Sequence, residues 1–366
     1  MAISSVSQSL PPRSRFNRRL VTAVVLLGGG LLVGCDRGAP TAKNGGTASS
    51  GTSSSTVGST GQTAVAHNGA ARNIVTTTGM VRDIVRLVVG ERGTVTGLIE
   101  SGVDPHLFKP TRGDVKRLSD ADVVFYSGLA LEGRMSEAFE QLRRAGKPVF
   151  AVTEQLKAAS LRTPPEFGDH HDPHVWMDAT LWSECVEHVG ESLAKLDPPH
   201  ADEYRQRATA YRAELTRLDE YARRSIASIP ESQRVLVTAH DAFGYFSQAY
   251  GIEVKSVQGV STEAEAGVSD VNRLVDLLVE RKLPAIFVES SVNAKNIKAV
   301  IEGAASRGVT VRVGGELFSD AMGQDGTYEG TYLGMIDHNV TTIVRALGGD
   351  APEKGMDGKL AGKDTK

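Results

Sequence analysis

The sequence predicts an α/β protein: two small doubly wound parallel-sheet domains joined by one long rigid α-helix. Three observations predict it. Short β-rich runs alternate with helical segments from about Asn73 to Leu347, the pattern of parallel sheets covered on both faces. The alternation occurs twice, with four runs before Pro198 and four after Pro230. Between the two sets, Tyr204, Ala208, Tyr211, Leu215, Leu218, Ala222 and Ile226 recur at spacings of three and four, with no Gly or Pro until Pro230. Such a stripe of about thirty residues spans roughly 45 Å as a helix.

Composition sets the outer bounds. The chain has 366 residues, 41 Lys+Arg against 44 Asp+Glu, and 40% hydrophobic residues. It is long enough for two domains and a core without staples. The balance excludes a wholly disordered chain and a polytopic membrane protein, and its formal charge of −3 gives no electrostatic footprint for nucleic acid. Two cysteines, Cys35 and Cys185, exclude a disulfide framework and a thiolate zinc cage.

In chain order, the first element is an address. Arg13, Arg15, Arg18 and Arg19 precede an apolar run from Leu20 to Val33, too short for a comfortable transmembrane helix and the right size for a signal-peptide core. The run ends at Leu32-Val33-Gly34-Cys35, which resembles a bacterial lipobox. Residues 1–34 are therefore expected to be a lipoprotein signal peptide, with Cys35 acylated and held in membrane lipid. Residues 35–71 follow as a tether: of the 36 residues from 36 to 71, 26 are Gly, Ser, Thr or Ala, too little apolar surface to fold.

An N-terminal lobe over 72–197 comes next, with strands expected at Asn73–Thr77, Thr94–Ile99, Asp122–Tyr126 and Pro148–Val152. The linking helix is placed at 198–229, where Pro198 and Pro199 suit a helix start. The C-terminal lobe, 230–348, repeats the plan with strands at Arg234–Thr238, Ile252–Val257, Ala285–Glu289 and Val309–Val313. Residues 349–366 are polar and read as a loose tail.

Ligands of parallel α/β sheets bind beyond the carboxyl ends of the strands. Four candidate side chains stand there: His106 after the second run, His174 after the fourth, His240 directly after the fifth, and Asp320 after the eighth. Proline within Asp104-Pro105-His106 and Asp172-Pro173-His174 stiffens each loop that presents an imidazole. Three neutral imidazoles and one carboxylate suit a first-row divalent ion, Zn²⁺, Mn²⁺ or Fe²⁺, over soft Cu(I). A monodentate Asp320 gives a four-coordinate, zinc-like site, and a bidentate one suits manganese; spacing leaves both open.

At these residues the chain resembles the metal-specific solute-binding lipoproteins of bacterial ABC importers, the cluster A-I family. The resemblance runs through Gly102-Val-Asp-Pro-His106, Asp172-Pro-His174-Val-Trp176-Met-Asp178, Thr238-Ala-His240-Asp-Ala-Phe-Gly-Tyr-Phe246, Gly259-Val-Ser-Thr-Glu263, Phe287-Val-Glu-Ser-Ser291 and Gly315-Glu-Leu-Phe-Ser-Asp320-Ala-Met-Gly323. It implies two α/β lobes joined by a long helix, with one Zn²⁺ or Mn²⁺ held between them as transported ligand by His106, His174, His240 and Asp320. It also implies delivery to ABC permease subunits served by a separate cytoplasmic ATPase, from an extracytoplasmic, periplasmic or cell-surface position. The chain carries no G-x-x-x-x-G-K-[ST] loop of its own. Glu263 and Glu289 are expected to serve hydrogen bonding or charge pairing, because the resemblance places no ligand there. His170 and His171 are expected to be solvated loop residues, and Cys185 an inert buried thiol. The expected molecule is a monomer and not an enzyme. Two alternatives are a secreted zinc hydrolase, which lacks a His-Glu-x-x-His motif here, and a surface adhesin, a label some family members carry.

Overall fold

A computed structural model describes residues 72–361. The expected signal peptide, the acylation site Cys35 and the tether lie outside the described residues. Four strands, β1 (Arg72–Thr76), β2 (Gly93–Gly97), β3 (Val123–Tyr126) and β4 (Val149–Ala151), pair in parallel in the order β2-β1-β3-β4. Because β1 has β2 on one side and β3 on the other, the loops leaving their carboxyl ends diverge around a crevice. The helices α1 (Gly79–Val89), α2 (Arg112–Asp120), α3 (Ser136–Arg144) and α4 (Ala179–Leu196) complete the first lobe. Their starts are chemically marked: the Thr78 side chain accepts the Val81 amide, Thr111 and Asp114 form a capping box, and Asp178 accepts the amides of Thr180 and Leu181.

Helix α5 (Ala201–Ala227) follows a single 3-10 turn at Pro198–His200. Its 27 residues run about 40 Å. The stripe Tyr204, Ala208, Tyr211, Leu215, Leu218, Ala222 and Ile226 is buried, and α5 packs on α1 and α4 in the first lobe and on α6 (Gly244–Tyr250) and α9 (Tyr332–Ala346) in the second. One hydrophobic cluster therefore runs from Ile74 and Val85 through Leu215 and Leu218 to Phe246 and Ile336. Each fully buried Leu or Ile in it contributes about 1.5–3 kcal/mol relative to exposure. The back of the two lobes is thus one continuous core.

The second lobe holds β5 (Val235–Thr238), β6 (Glu253–Ser256), β7 (Ala285–Glu289) and β8 (Arg312–Leu317), with α7 (Val268–Arg281) and α8 (Lys295–Ser306) packed on each other and on the sheet core. Two departures from the sequence reading have local causes. The strands form two parallel pairs, β5-β6 and β7-β8, with β5 lying beside β7 outside the ladder. The amides following β5, those of Ala239 and His240, go instead to the Glu289 carboxylate. The eighth strand also starts three residues later than expected. The Val309 amide is spent closing α8 against Ala304, so pairing with β7 begins at Arg312.

The segment from Gly349, expected to be loose, is packed up to Ala361. Asp337, fully buried on α9, accepts the Met356 amide, Arg217 on α5 pairs with Asp357 at 2.9 Å, and Leu360 is buried. Its polar composition conceals a turn built around one buried carboxylate. Among the described residues no helix is long and apolar enough to cross a membrane.

Candidate metal centre

All four predicted side chains converge, two from each lobe. His106 hangs on the loop between β2 and α2, which Gly102 turns at a φ of +76°. The Asp104 carboxylate accepts the His106 backbone N–H at 2.8 Å, while its other oxygen accepts the hydroxyl of Thr262 from the opposite lobe at 2.6 Å. His174 ends the long loop before α4 and opens a 3-10 turn at Val175–Met177. Asp172 Oδ1 accepts both the backbone N–H of His174, at 3.0 Å, and its ring Nδ1–H, at 2.8 Å. The spacing of Asp172 to His174 did not by itself license that ring contact, and Asp104, at the same spacing, makes only the backbone one.

His240 follows β5 directly. Glu289, at the end of β7, accepts three donors from this corner: the amides of Ala239 and His240 and the ring Nδ1–H of His240. This is the hydrogen-bonding role expected of Glu289. Glu263 forms an ion pair with Arg134 of the first lobe at 3.0 Å. Asp320 lies in the loop after β8, anchored next door by Trp176, whose indole N–H donates to the Ser319 carbonyl at 2.8 Å. His170 and His171 are not part of the cluster: His171 meets Thr163, and His170 lies beside Phe167. Cys185 is buried on α4, and burial pushes its thiol pKa up.

The ligand atoms of His106, His174, His240 and Asp320 all lie within 4.8 Å of one another. Asp320 Oδ1 is 3.2 Å from His174 Nε2, and Oδ2 is 3.2 Å from His240 Nε2 and 3.8 Å from His106 Nε2. His106 Nε2 and His174 Nε2 are 3.3 Å apart. Donors about 2.0–2.1 Å from a tetrahedral Zn²⁺ are separated by about 3.3 Å, so the spacing fits one small ion. His174, His240 and Asp320 are essentially inaccessible to solvent, and His106 is 5% exposed. His240 Nε2 and both Asp320 oxygens are buried without a hydrogen bond: they are close to their neighbours but not directed as donor and acceptor. The carboxylates of Asp172 and Glu289 hold a ring proton on Nδ1 of His174 and of His240, so whenever those rings are neutral their Nε2 atoms present lone pairs. Lone pairs of two rings and a carboxylate then face one point, an arrangement that costs free energy unless something positive occupies it.

The proton equilibria respond to the same crowding. Burial lowers the His106 pKa to about 4. Burial also opposes charge on His174, but Asp320 and Asp172 outweigh it and raise that ring to about 9. His240 follows His174, with Glu289 and Asp320 overcoming its burial. Burial works against ionisation of Asp320 as well, yet His240 and His174 hold its carboxyl well below the usual range. Without a metal, protons on two rings balance the carboxylates; an ion displaces them.

Among the described residues these four form the one group of three or more such side chains close enough to share an ion. Sequence reasoning assigned no role to the groups that hold them, chiefly Trp176, Thr262 and Arg162, because each acts through a contact distant in the chain, although Trp176 and Thr262 stand inside motifs quoted above.

The sequence and the fold match known proteins. Residues 74–346 match the family model described as zinc-uptake complex component A, periplasmic. The zinc-binding protein TroA of Treponema pallidum is 50% identical over 274 residues, covering 75% of this chain and 88% of that protein. The manganese-binding lipoprotein MntA of Bacillus subtilis is 47% identical over 274 residues, covering 75% and 89% respectively. A solved structure of the periplasmic zinc binding protein TroA from Treponema pallidum superposes with a TM-score of 0.74 at 49% identity, covering 76% of this chain and 99% of that one.

Proposed function

The chain belongs to the periplasmic zinc-uptake complex component A family, and from that premise we propose that it captures one Zn²⁺ or Mn²⁺ ion between its lobes and delivers it to an ABC permease for import. The observation that carries the proposal is the buried convergence of three imidazoles and one carboxylate whose ligand atoms all lie within 4.8 Å of one another. His106, His174, His240 and Asp320 are the ligands in this reading. Two come from each lobe, so the ion itself fastens the front of the cleft, and separation of the lobes releases it. The continuous core along α5 limits how far the lobes can swing, so release needs only a modest shift that withdraws one donor.

The reading places the protein outside the cytoplasmic membrane, held by an acyl chain on Cys35 and the tether over 35–71, as a monomer that meets permease subunits whose ATPase is a separate chain. It is a carrier and not a catalyst. A zinc hydrolase keeps an open position for water, whereas Asp320 supplies a fourth protein donor. Isothermal calorimetry tests the site: one divalent ion per chain is expected, and His240→Ala or Asp320→Ala should weaken binding by about 100-fold or more, a quarter share of a structural zinc's binding free energy. Unchanged affinity in both variants refutes the ligand set. Metal accumulation in a strain lacking the gene, with growth rescued by zinc or manganese, tests the transport step and names the cargo.

A further inference from the structure

Resting on the metal-capture reading, we propose that Arg162 is a positioning residue for the site: its guanidinium spans the two lobes and locks the Asp172–His174 pair to the segment that carries His240. Arg162 belongs to the first-lobe loop that leads to His174. Its Nε–H donates to Asp172 Oδ2 at 3.2 Å, and its Nη1–H donates to the carbonyl of Gly244 in the second lobe at 2.7 Å. The backbone joins the same knot. The Arg162 amide donates to the Tyr245 hydroxyl at 3.0 Å, that hydroxyl donates to the Asp172 carbonyl at 3.0 Å, and the Asp172 amide donates to the Arg162 carbonyl at 2.9 Å. The guanidinium also lies 5.9 Å from the centre of the Tyr245 ring.

The two ligand-orienting carboxylates are neutralised differently. Glu289 is satisfied within its own lobe by two backbone amides and the His240 ring. Asp172 is fully buried, commits Oδ1 to His174, and depends on Arg162 for Oδ2. A buried carboxylate whose second oxygen loses its partner turns to find another, and the His174 ring turns with it. Because Arg162 reaches Gly244, four residues beyond His240, parting the lobes along this edge pulls the guanidinium away from Asp172. Arg162 therefore converts lobe separation into loss of His174 orientation. The role needs a planar fork able to serve two acceptors at once, which a lysine ammonium does not reproduce.

Gly244 provides an independent way to displace the same group. A Cβ there would lie 2.4 Å from Arg162 Cζ and 2.5 Å from Nε, so Gly244→Ala pushes the guanidinium aside without altering Arg162 or any ligand. The test loads the full chain with Co²⁺, whose visible absorption bands report ligand orientation, and follows its release to excess chelator by stopped flow. Arg162→Ala and Gly244→Ala should each still bind one Co²⁺, show shifted bands, and release the ion about tenfold faster than wild type, the lower range for removing a group that orients a metal-binding histidine. Wild-type bands and release in Arg162→Ala overturn the proposal; should that variant not fold, the same result in Gly244→Ala overturns it. A wild-type chain that takes up no Co²⁺ sinks the metal-capture reading, and this inference with it.

Discussion

His240 and His106 offer the same atom to the same point, yet the molecule holds them in opposite ways. His240 follows a buried strand directly, and Glu289 grips its backbone and its ring together. His106 rides a long loop, and Asp104 holds only its backbone N–H; among the described residues no carboxylate meets its Nδ1. One imidazole is locked in direction before any ion arrives, while the other is placed through its backbone with no carboxylate on its ring. Preorganisation is therefore concentrated at His240 and, through Asp172, at His174, and the ring without a carboxylate lies at the more accessible edge, where His106 is the single ligand above 1% exposure.

The largest expected effect breaks that comparison outright. Truncating either ring removes a donor, but only one removal leaves a buried carboxylate without its partner. His240→Ala exposes Glu289 to that cost, so it should lose about 100-fold or more in metal affinity and also lower the melting temperature of the metal-free protein. His106→Ala should weaken binding with little change in that melting temperature. Equal thermal shifts for the two variants, read by calorimetric scanning without metal, would show that the asymmetry has no energetic content.

A finer cut leaves the ligands in place. Glu289→Gln keeps an acceptor for the amides but weakens the grip on the His240 ring, and about 10–100-fold in metal affinity is expected to go with it. Asp104→Asn leaves the His106 ring as it was and should cost less than about tenfold, below that range. Thr262 on the opposite lobe also loses its carboxylate partner in Asp104→Asn, so faster release should exceed any change in capture rate. Reversal of the two affinities in calorimetry would mean that backbone placement, not ring orientation, governs the site.

The contrast also explains what could be read without coordinates. Strand ends are legible because apolar runs such as Val235–Thr238 are bounded by turns, so His240 and its three companions could be placed where α/β sheets bind ligands. What remained hidden depends on paths through space. Arg162 reaches Asp172 and Gly244 only because a loop of the first lobe crosses to the second. The end of β8 was placed too early, at Val313, because Gly314 and Gly315 are weak strand formers and conceal pairing that runs on to Leu317. The segment from Gly349 looked loose because its anchor, Asp337, lies elsewhere in the chain.

Proton linkage gives the smallest and most discriminating test. Burial lowers His106 to about 4, so its ring is already neutral at pH 7 and binds without giving up a proton. His174 is raised to about 9, because Asp320 and Asp172 outweigh its burial, so in the metal-free protein it is protonated at pH 7. Metal capture must then expel protons from His174 and from His240, which is raised as well, but not from His106. Apparent affinity should fall as pH drops from about 9 toward 6, and calorimetry in buffers of different ionisation enthalpy should count protons released at pH 7. The sign for folding runs the other way. A raised folded pKa contributes stability that is fully present below the unfolded histidine value of about 6.5 and is lost as pH climbs through about 9. The metal-free protein should therefore melt at a lower temperature at pH 9.5 than at pH 6.5, while the loaded protein, whose rings carry an ion in place of protons, should lose much less. A metal-free melting temperature that rises over that interval would mean the carboxylates around His174 do not hold a proton on it, and the division between a proton-guarded pair of rings and one open ring would fall.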